Sequence, residues 1–147
     1  MSTLIYLGVL LLAGCFLIPT GQAGLNPDLR DIPRLNWQYK TALESNDIDS
    51  ILELYADNAL ILPNGHPGFV GKNKLASSLR SLPSVGTMEF NIRYLDFINW
   101  NNGLVLELIS HTAWDDQGNV IFKGKTLLLW KWTGTWKIVL RMINSDQ

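Results

Sequence analysis

The spacing of apolar residues is helical before Pro83 and alternating after it. Before Pro83, apolar side chains recur at steps of three and four, and Asp31 and Asp47 stand at positions suited to helix N-caps. This pattern predicts three helices, with a short strand ahead of a turn rich in Pro and Gly. The predicted helices cover residues 31–45, 47–55 and 72–82, and the strand covers residues 59–62.

After Pro83 the chain contains four strand-like runs, separated by short connections rich in Asn, Asp and Gly. Such connections join antiparallel neighbours, so the runs predict a meander. The runs cover residues 87–100, 104–114, 120–132 and 135–143. Helices followed by a curled sheet predict an α+β roll, in which the helices cover the concave side of the sheet.

Alternation along the last two runs assigns their side chains to two faces. Thr126 and Leu128 share the face of the third run that we predict to be the inner one. We predict the same for one row of the last run: Trp136, Ile138, Leu140, Met142 and Asn144. Lys137 and Arg141 then fall in a solvated row, and Asn144 is a polar residue that closes an inward apolar row.

Glu107 and His111 lie four residues apart in the second run and share one face. Two placements of that face stay open. Either it lines a cavity, with His111 as an acid or base, or it faces solvent or a partner subunit. In the second case Leu104, Leu106 and Leu108 face the core.

Residues 4–18 form a nearly continuous apolar run without a charge, which is shorter than the ~20 residues of a membrane-spanning helix. Small residues up to Ala23 suit cleavage by signal peptidase. We therefore predict a secretory signal over residues 1–23 and a mature domain over residues 24–147, extracellular and without a membrane segment. Retention of the first segment as an anchor and lipidation at Cys15 are the alternatives.

Composition narrows the function classes further. Twelve Lys and Arg against thirteen Asp and Glu give a net charge of −1, which provides no electrostatic footprint for nucleic acid or an anionic membrane. Cys15 is the only cysteine, so the predicted mature chain has neither a disulfide nor a cysteine nucleophile. Two histidines and scattered carboxylates show no metal-ligand spacing, and the sequence has no dinucleotide motif. We therefore expect no metal and no cofactor.

Several short segments carry a resemblance by their order and spacing. They are residues 37–42, 45–49, 54–59 and 71–72, and a closing pattern at residues 124–125, 130–131, 134–138 and 144–146. Together they resemble the nuclear transport factor 2-like superfamily, and most of all its SnoaL-like and ketosteroid isomerase-like branch. The resemblance implies three N-terminal helices packed on a curved, mainly antiparallel sheet, with a cone-shaped cavity for a small hydrophobic or amphipathic molecule.

The resemblance also bears on chemistry. It places Tyr39 where ketosteroid isomerases hold the oxyanion with a tyrosine, whereas their proton-abstracting Asp falls at Leu62 or Pro63 and their second acid near Leu128. A tyrosine without the base cannot move a proton from carbon, so we do not expect isomerase chemistry. Metal-independent lyase, cyclase and hydrolase reactions stay open, with His111 and Tyr39 as catalytic candidates.

Polar or amphipathic residues on inward rows are the candidates for a ligand pocket. They are Tyr39, Tyr55, His66, Glu107, His111, Trp130 and Asn144. His66 lies in the Pro- and Gly-rich turn, where it either borders the pocket or is simply exposed. The alternative function is a non-catalytic module for ligand binding or oligomerisation, with a homodimer formed through the outer face of the sheet.

Overall fold

The computed structural model describes residues 27–99 and 103–146, with the backbone alone for residues 90–99. Within these residues lie three helices: α1 (Asp31–Glu44), α2 (Ile48–Glu53) and α3 (Lys72–Arg80). The same residues form six strands: β1 (Tyr55–Leu62), β2 (Phe69–Val70), β3 (Thr87–Asn99), β4 (Leu104–Trp114), β5 (Val120–Trp132) and β6 (Trp136–Ser145). The predicted signal segment, residues 1–23, and Trp100 at the predicted end of the first run lie outside the described residues.

The six described strands form one curved, unclosed sheet in the order β2-β1-β6-β5-β4-β3. β6 runs parallel to β1, and every other neighbouring pair is antiparallel. The described helices pack on one face of this sheet, and the core between the two layers includes Ile32, Tyr55 and Trp130. The predicted α+β roll is therefore confirmed.

α1 turns one face toward the sheet, because its apolar side chains recur at helical spacing. The buried residues of that face are Ile32, Leu35, Asn36, Tyr39 and Ala42. The helix gives way to a turn in which Asn46 has a left-handed φ of 54°. Asp47 then caps α2, since its side chain accepts a hydrogen bond of 3.1 Å from the backbone N–H of Ser50. Because Tyr39 belongs to the buried face of α1, its phenol lies between the helices and the sheet.

β1 begins earlier than the apolar spacing predicts. Tyr55, which we predicted on the second helix, is the first residue of β1 and pairs with Ile138 of the parallel neighbour. The carbonyl of Leu54 accepts a hydrogen bond of 2.8 Å from the N–H of Ile138, so the chain joins the sheet directly after α2. A contact between residues this far apart in sequence leaves no local spacing signal. The same holds for β2, which has two residues and was not predicted.

The pairing of β5 with β6 contains a bulge. Trp130 pairs with Ile138 but Leu129 pairs with Leu140, so Val139 is an extra residue on β6. One extra residue moves every following side chain to the opposite face. The predicted inward row is therefore wrong after Ile138.

As a result, Arg141 turns inward opposite Leu128, whereas Asn144 turns outward opposite Lys125. Asn144 is exposed. The prediction of a solvated row fails at Arg141 for the same reason, because strict alternation does not survive a bulge.

β4 places its odd-numbered residues on the inner face. Glu107 and His111 are buried there, together with Val105, Ile109 and Ala113. The leucines of the same strand alternate with them and are partly exposed on the outer face. Of the two placements left open by the sequence, the one with those leucines in the core is wrong.

Candidate functional site

A cavity lies between the helices and the concave face of the sheet, in two compartments. The wider one, which we call the outer funnel, has a volume of about 440 Å³ and is bordered by α3, the following loop and the ends of β4, β5 and β6. The narrower one, the inner chamber, has a volume of about 20 Å³, which is room for about one water molecule. Four residues line both compartments: Tyr39, Met88, His111 and Arg141. These four residues mark the junction of the two compartments.

Arg141 places a guanidinium at this junction. Its Nη1 donates hydrogen bonds to the hydroxyl of Tyr39 and, at 3.1 Å, to the hydroxyl of Tyr55. Its Cζ lies 5.2 Å from the centroid of the Tyr39 ring, a cation–π distance. No carboxylate of the described residues forms a salt bridge with Arg141. Two tyrosine hydroxyls therefore hold a cation in this part of the chain.

Tyr55 is a neutral phenol under ordinary conditions. Burial raises the pKa of its hydroxyl far above the usual value, and the nearby charge of Arg141 lowers it by less. The side chain is 1% exposed and lines the inner chamber. Because its oxygen accepts from Arg141, Tyr55 acts as an orienting partner for the guanidinium.

His111 borders both compartments from β4. Its ring stacks on that of Phe122, with centroids 4.7 Å apart and planes 15° apart. Burial, and to a smaller extent the nearby charge of Arg141, lowers the pKa of the imidazole to about 4. His111 is therefore neutral at pH 7, and its side chain borders the cavity and not the outer face of the sheet.

Gly124 makes the stacking of His111 possible. It pairs with His111 across β4 and β5. A Cβ built on Gly124 would lie 2.2 Å from the carbonyl oxygen of Asn144 and 2.9 Å from Cζ of Phe122. Only glycine leaves the Phe122 ring room at this position.

Thr126 contributes a buried hydroxyl to the inner chamber. The residue is 3% exposed and pairs with Ile109 across the sheet. Among the described residues, none forms a hydrogen bond with its Oγ1. The hydroxyl of Thr126 thus adds to the chamber wall a polar group that is able to donate or accept a hydrogen bond.

Glu107 lies in the core and not in the cavity. Its Oε1 accepts from Nδ2 of Asn36 at 2.5 Å, and its Oε2 accepts from Nε1 of Trp130 at 2.8 Å. Burial raises the pKa of the carboxyl, and the two hydrogen bonds partly offset that rise. The residue ties α1 to β4 and β5, and neither Glu107 nor Trp130 lines the funnel or the chamber.

The structure therefore divides the predicted site residues into two groups. Tyr39, Tyr55 and His111 converge at the cavity, and the exposed His66 borders the funnel at its rim. The others do not meet them: Glu107, Trp130 and Asn144. The residues that sequence reasoning missed are Arg141 and Thr126. Thr126 could have been found, because the apolar row that contains it was predicted to face inward. No local signal distinguished Arg141 from the exposed lysines.

No group of three or more His, Cys, Asp or Glu in the described part of the chain is placed to hold a metal ion. None of the helices in residues 27–99 and 103–146 is long and apolar enough to cross a membrane.

Comparison with known proteins yields a family and a set of structural neighbours. The model of the nuclear transport factor 2 (NTF2) domain matches residues 35–144. A search of curated proteins finds no significant match.

The structural neighbours share the fold. A ketosteroid isomerase-like protein of Erwinia carotovora atroseptica superposes with a TM-score of 0.68 at 22% identity, over 83% of this chain and 98% of its own. An NTF2-like protein of unknown function from Shewanella oneidensis gives 0.66 at 15% identity, over 78% and 96% of the two chains. A protein of Thiobacillus denitrificans, provisionally assigned as a calcium/calmodulin-dependent protein kinase type II association domain, gives 0.66 at 11% identity, over 78% and 94%. At these identities the likeness concerns the fold alone.

Proposed function

The chain belongs to the nuclear transport factor 2 domain family, and from that premise we propose that it binds a small, largely apolar molecule in its cavity. The observation that carries the proposal is the convergence of Tyr39, Tyr55, His111 and Arg141 at the foot of an apolar funnel. A mostly hydrophobic wall with a few convergent polar groups is the usual make-up of small-molecule sites.

The dimensions of the funnel support this proposal. Its volume of about 440 Å³ falls in the range of ligand pockets, about 300–1,000 Å³. Most of its wall is apolar, including Leu43, Ile61, Leu75, Leu79, Val85 and Ile143. The polar groups at its foot would fix the orientation of a bound molecule.

Binding is favoured over proton-transfer catalysis by the groups available. Pro63 borders the funnel and Leu128 borders the chamber, so apolar residues occupy the places of the isomerase acids that the resemblance indicated. No Asp or Glu of the described residues lines either compartment. His111, with a pKa of about 4, is a weak base at neutral pH. A metal-independent lyase, cyclase or hydrolase using His111 and Tyr39 is the second candidate.

A pair of tryptophan variants on α3 tests the proposal. Ser78 is partly buried and borders the funnel, whereas its neighbour Ser77 is exposed. Ser78→Trp should fill the funnel and abolish retention of small molecules in native mass spectrometry. Ser77→Trp, the matched control, should retain what the wild type retains. Equal retention by Ser78→Trp and the wild type would contradict the proposal.

We further propose a homodimer through the outer face of the sheet. Two adjacent rows of aliphatic side chains run across four strands there, as direct cross-strand partners. One row is Leu106, Leu129, Leu140 and Leu60, and the other is Leu108, Leu127, Met142 and Leu62. All eight are at least partly exposed. An apolar surface of this extent is typical of a protein–protein contact.

Sedimentation velocity at micromolar concentrations tests the dimer. Leu129 is central in the first row, so Leu129→Lys should shift a dimeric wild type to the monomer. Val120 is 46% exposed at the start of β5 but lies outside both rows, so Val120→Lys is the control and should stay dimeric. A wild type that sediments as a monomer throughout the micromolar range would rule out this assembly.

We also propose that the domain acts outside the cell. The support is the uncharged apolar run at residues 4–18, followed by small residues up to Ala23. N-terminal sequencing of the protein recovered from the culture medium should begin at residue 24. Retention of Met1 or a lipid on Cys15 would contradict cleavage at this site.

A further inference from the structure

The charge at the foot of the cavity is unbalanced within the described residues. The guanidinium of Arg141 stays protonated at all ordinary pH values. The carboxylates of the described salt bridges belong to other pairs, and neither compartment has a described Asp or Glu in its wall. Arg141 is partly buried, and a cation that has lost part of its contact with water without gaining an opposite charge carries a desolvation cost. A negatively charged occupant would remove that cost.

The hydrogen bonds of Arg141 leave donors for such an occupant. Nη1 has two N–H groups, and both are engaged by the hydroxyls of Tyr39 and Tyr55. The guanidinium has three more, on Nε and Nη2. Among the described residues, none accepts a hydrogen bond from these two nitrogens. The edge formed by Nε and Nη2 has the geometry that binds a carboxylate through two parallel hydrogen bonds.

The charge count favours a single negative charge. His111 borders both compartments, as Arg141 does, and it is neutral at pH 7. Tyr55 is neutral as well. The site therefore presents one positive charge, and a monoanion gives a neutral complex. A dianion would leave a net charge beside a wall that is mostly apolar.

The shape of the cavity limits the anion and its attachment. The inner chamber, at about 20 Å³, admits little more than one water-sized group. The outer funnel, at about 440 Å³, has apolar walls that suit a hydrocarbon body. A flat head group at the junction with an apolar body in the funnel matches both compartments.

We propose that the occupant of the cavity, whose binding is the function proposed above, is an apolar carboxylate whose head group is held by Nε and Nη2 of Arg141. Its hydrocarbon body lies in the outer funnel. The buried hydroxyl of Thr126 adds a polar group within the inner chamber.

Isothermal titration calorimetry of the full domain with octanoate and octanamide at pH 8 tests this inference. The two probes have the same chain and differ in the charge of the head group. A charge-assisted pair should make octanoate bind about tenfold more tightly or better. Arg141→Met should lose that preference and bind both probes as the wild type binds octanamide. Arg141→Lys, which keeps the charge without the fork, should retain part of the preference.

The variants separate the failure of this inference from failure of the cavity proposal. Equal binding of octanoate and octanamide, with both lost in Ser78→Trp, would overturn the carboxylate while leaving the cavity as the binding site. Tighter binding of octyl phosphate than of octanoate would overturn the single charge. No binding of any probe to the wild type, or binding unchanged in Ser78→Trp, would overturn the inference and the cavity proposal together.

Discussion

Arg141 of β6 donates a hydrogen bond of 3.1 Å from Nη1 to the hydroxyl of Tyr55 on β1. The bond joins the two parallel strands of the sheet, and it exists because the extra residue Val139 turns Arg141 inward. Tyr39 of α1 accepts from the same nitrogen. One guanidinium therefore links the helical layer to two strands, and the foot of the cavity is part of the architecture of the fold.

Tyr55→Phe should destabilise the domain through loss of this bond. Hydrogen bonds to charged groups contribute about 1.5–3 kcal/mol, and Tyr39 keeps one acceptor on Arg141, so we expect a loss of about 2 kcal/mol in the free energy of unfolding. Urea unfolding followed by circular dichroism measures it. In an Arg141→Met background the same substitution should cost less, because its partner is already absent. Equal costs in the two backgrounds would show that the bond does not stabilise the fold.

His111 should make the domain less stable in acid. Its folded-state pKa of about 4 lies below the ordinary value of 6.5, so the unfolded chain binds more protons between these pH values. The stability that His111 contributes is thus fully present above pH 6.5 and is lost as the pH drops toward 4. Since each pKa unit corresponds to about 1.4 kcal/mol, the loss over that window is about 3 kcal/mol.

The measurement is the free energy of unfolding of the wild type minus that of His111→Gln, between pH 7 and pH 4. This difference should shrink as the pH falls, because the Gln variant has no group to protonate at this position. Arg141 is the charged group facing His111 from β6 and is present in both proteins. His66→Gln, at the exposed rim, is the matched control and should keep the acid-induced loss. A difference that is constant with pH would refute the assignment.

Local spacing was sufficient to predict most of the fold. α1, α3 and the four long strands follow from apolar periodicity and turn residues, which act over a few neighbouring positions. The missed parts depend on distant contacts. β1 starts at Tyr55 because β6 pairs beside it, and β2 has two residues that only a partner strand can order.

For a related cause, local reasoning could not decide the face of two site residues, His111 and Arg141. Both faces of β4 carry apolar residues, so alternation alone could not decide whether His111 faced inward. On β6, Arg141 lies between Leu140 and Met142. Their spacing alone does not show whether Arg141 faces the cavity or the solvent. The bulge at Val139 decides the matter, and it is defined by the pairing with β5.

Gly124→Ala should destabilise the sheet next to the cavity. The added methyl group would meet the backbone carbonyl of Asn144, which cannot move without disturbing the pairing of β5 with β6. Overpacking of this kind costs about 1–3 kcal/mol. At Gly68 the same change meets first the end of the Leu62 side chain, which can rotate, so Gly68→Ala is the milder control. Thermal unfolding compares them, and an equal loss in both would contradict the close approach at Gly124.

Glu107 should respond to pH in the opposite direction to His111, although both are buried on β4. Burial raises the folded-state pKa of Glu107 above its ordinary value of 4.5, so just above that pH the folded protein binds more protons than the unfolded chain. The stability that Glu107 contributes is fully present below that pH and is lost as the pH rises through the folded-state pKa. Above it, the carboxylate is buried with two neutral donors, Asn36 and Trp130, as its hydrogen-bond partners.

Glu107→Gln tests this prediction, because the amide cannot ionise. In acid the variant should be less stable than the wild type by about 1–3 kcal/mol. In the wild type, Asn36 and Trp130 each donate to a different oxygen of Glu107, whereas the amide of Gln offers a single oxygen in their place. The deficit should shrink as the pH rises, since only the wild type has to bury a charge. Asn36→Leu, which removes one donor and leaves Glu107 ionisable, should widen the pH-dependent loss, because the buried carboxylate loses a hydrogen bond that favours the charged form. A deficit of Glu107→Gln that is constant or grows with pH would mean that burial does not govern the ionisation of Glu107.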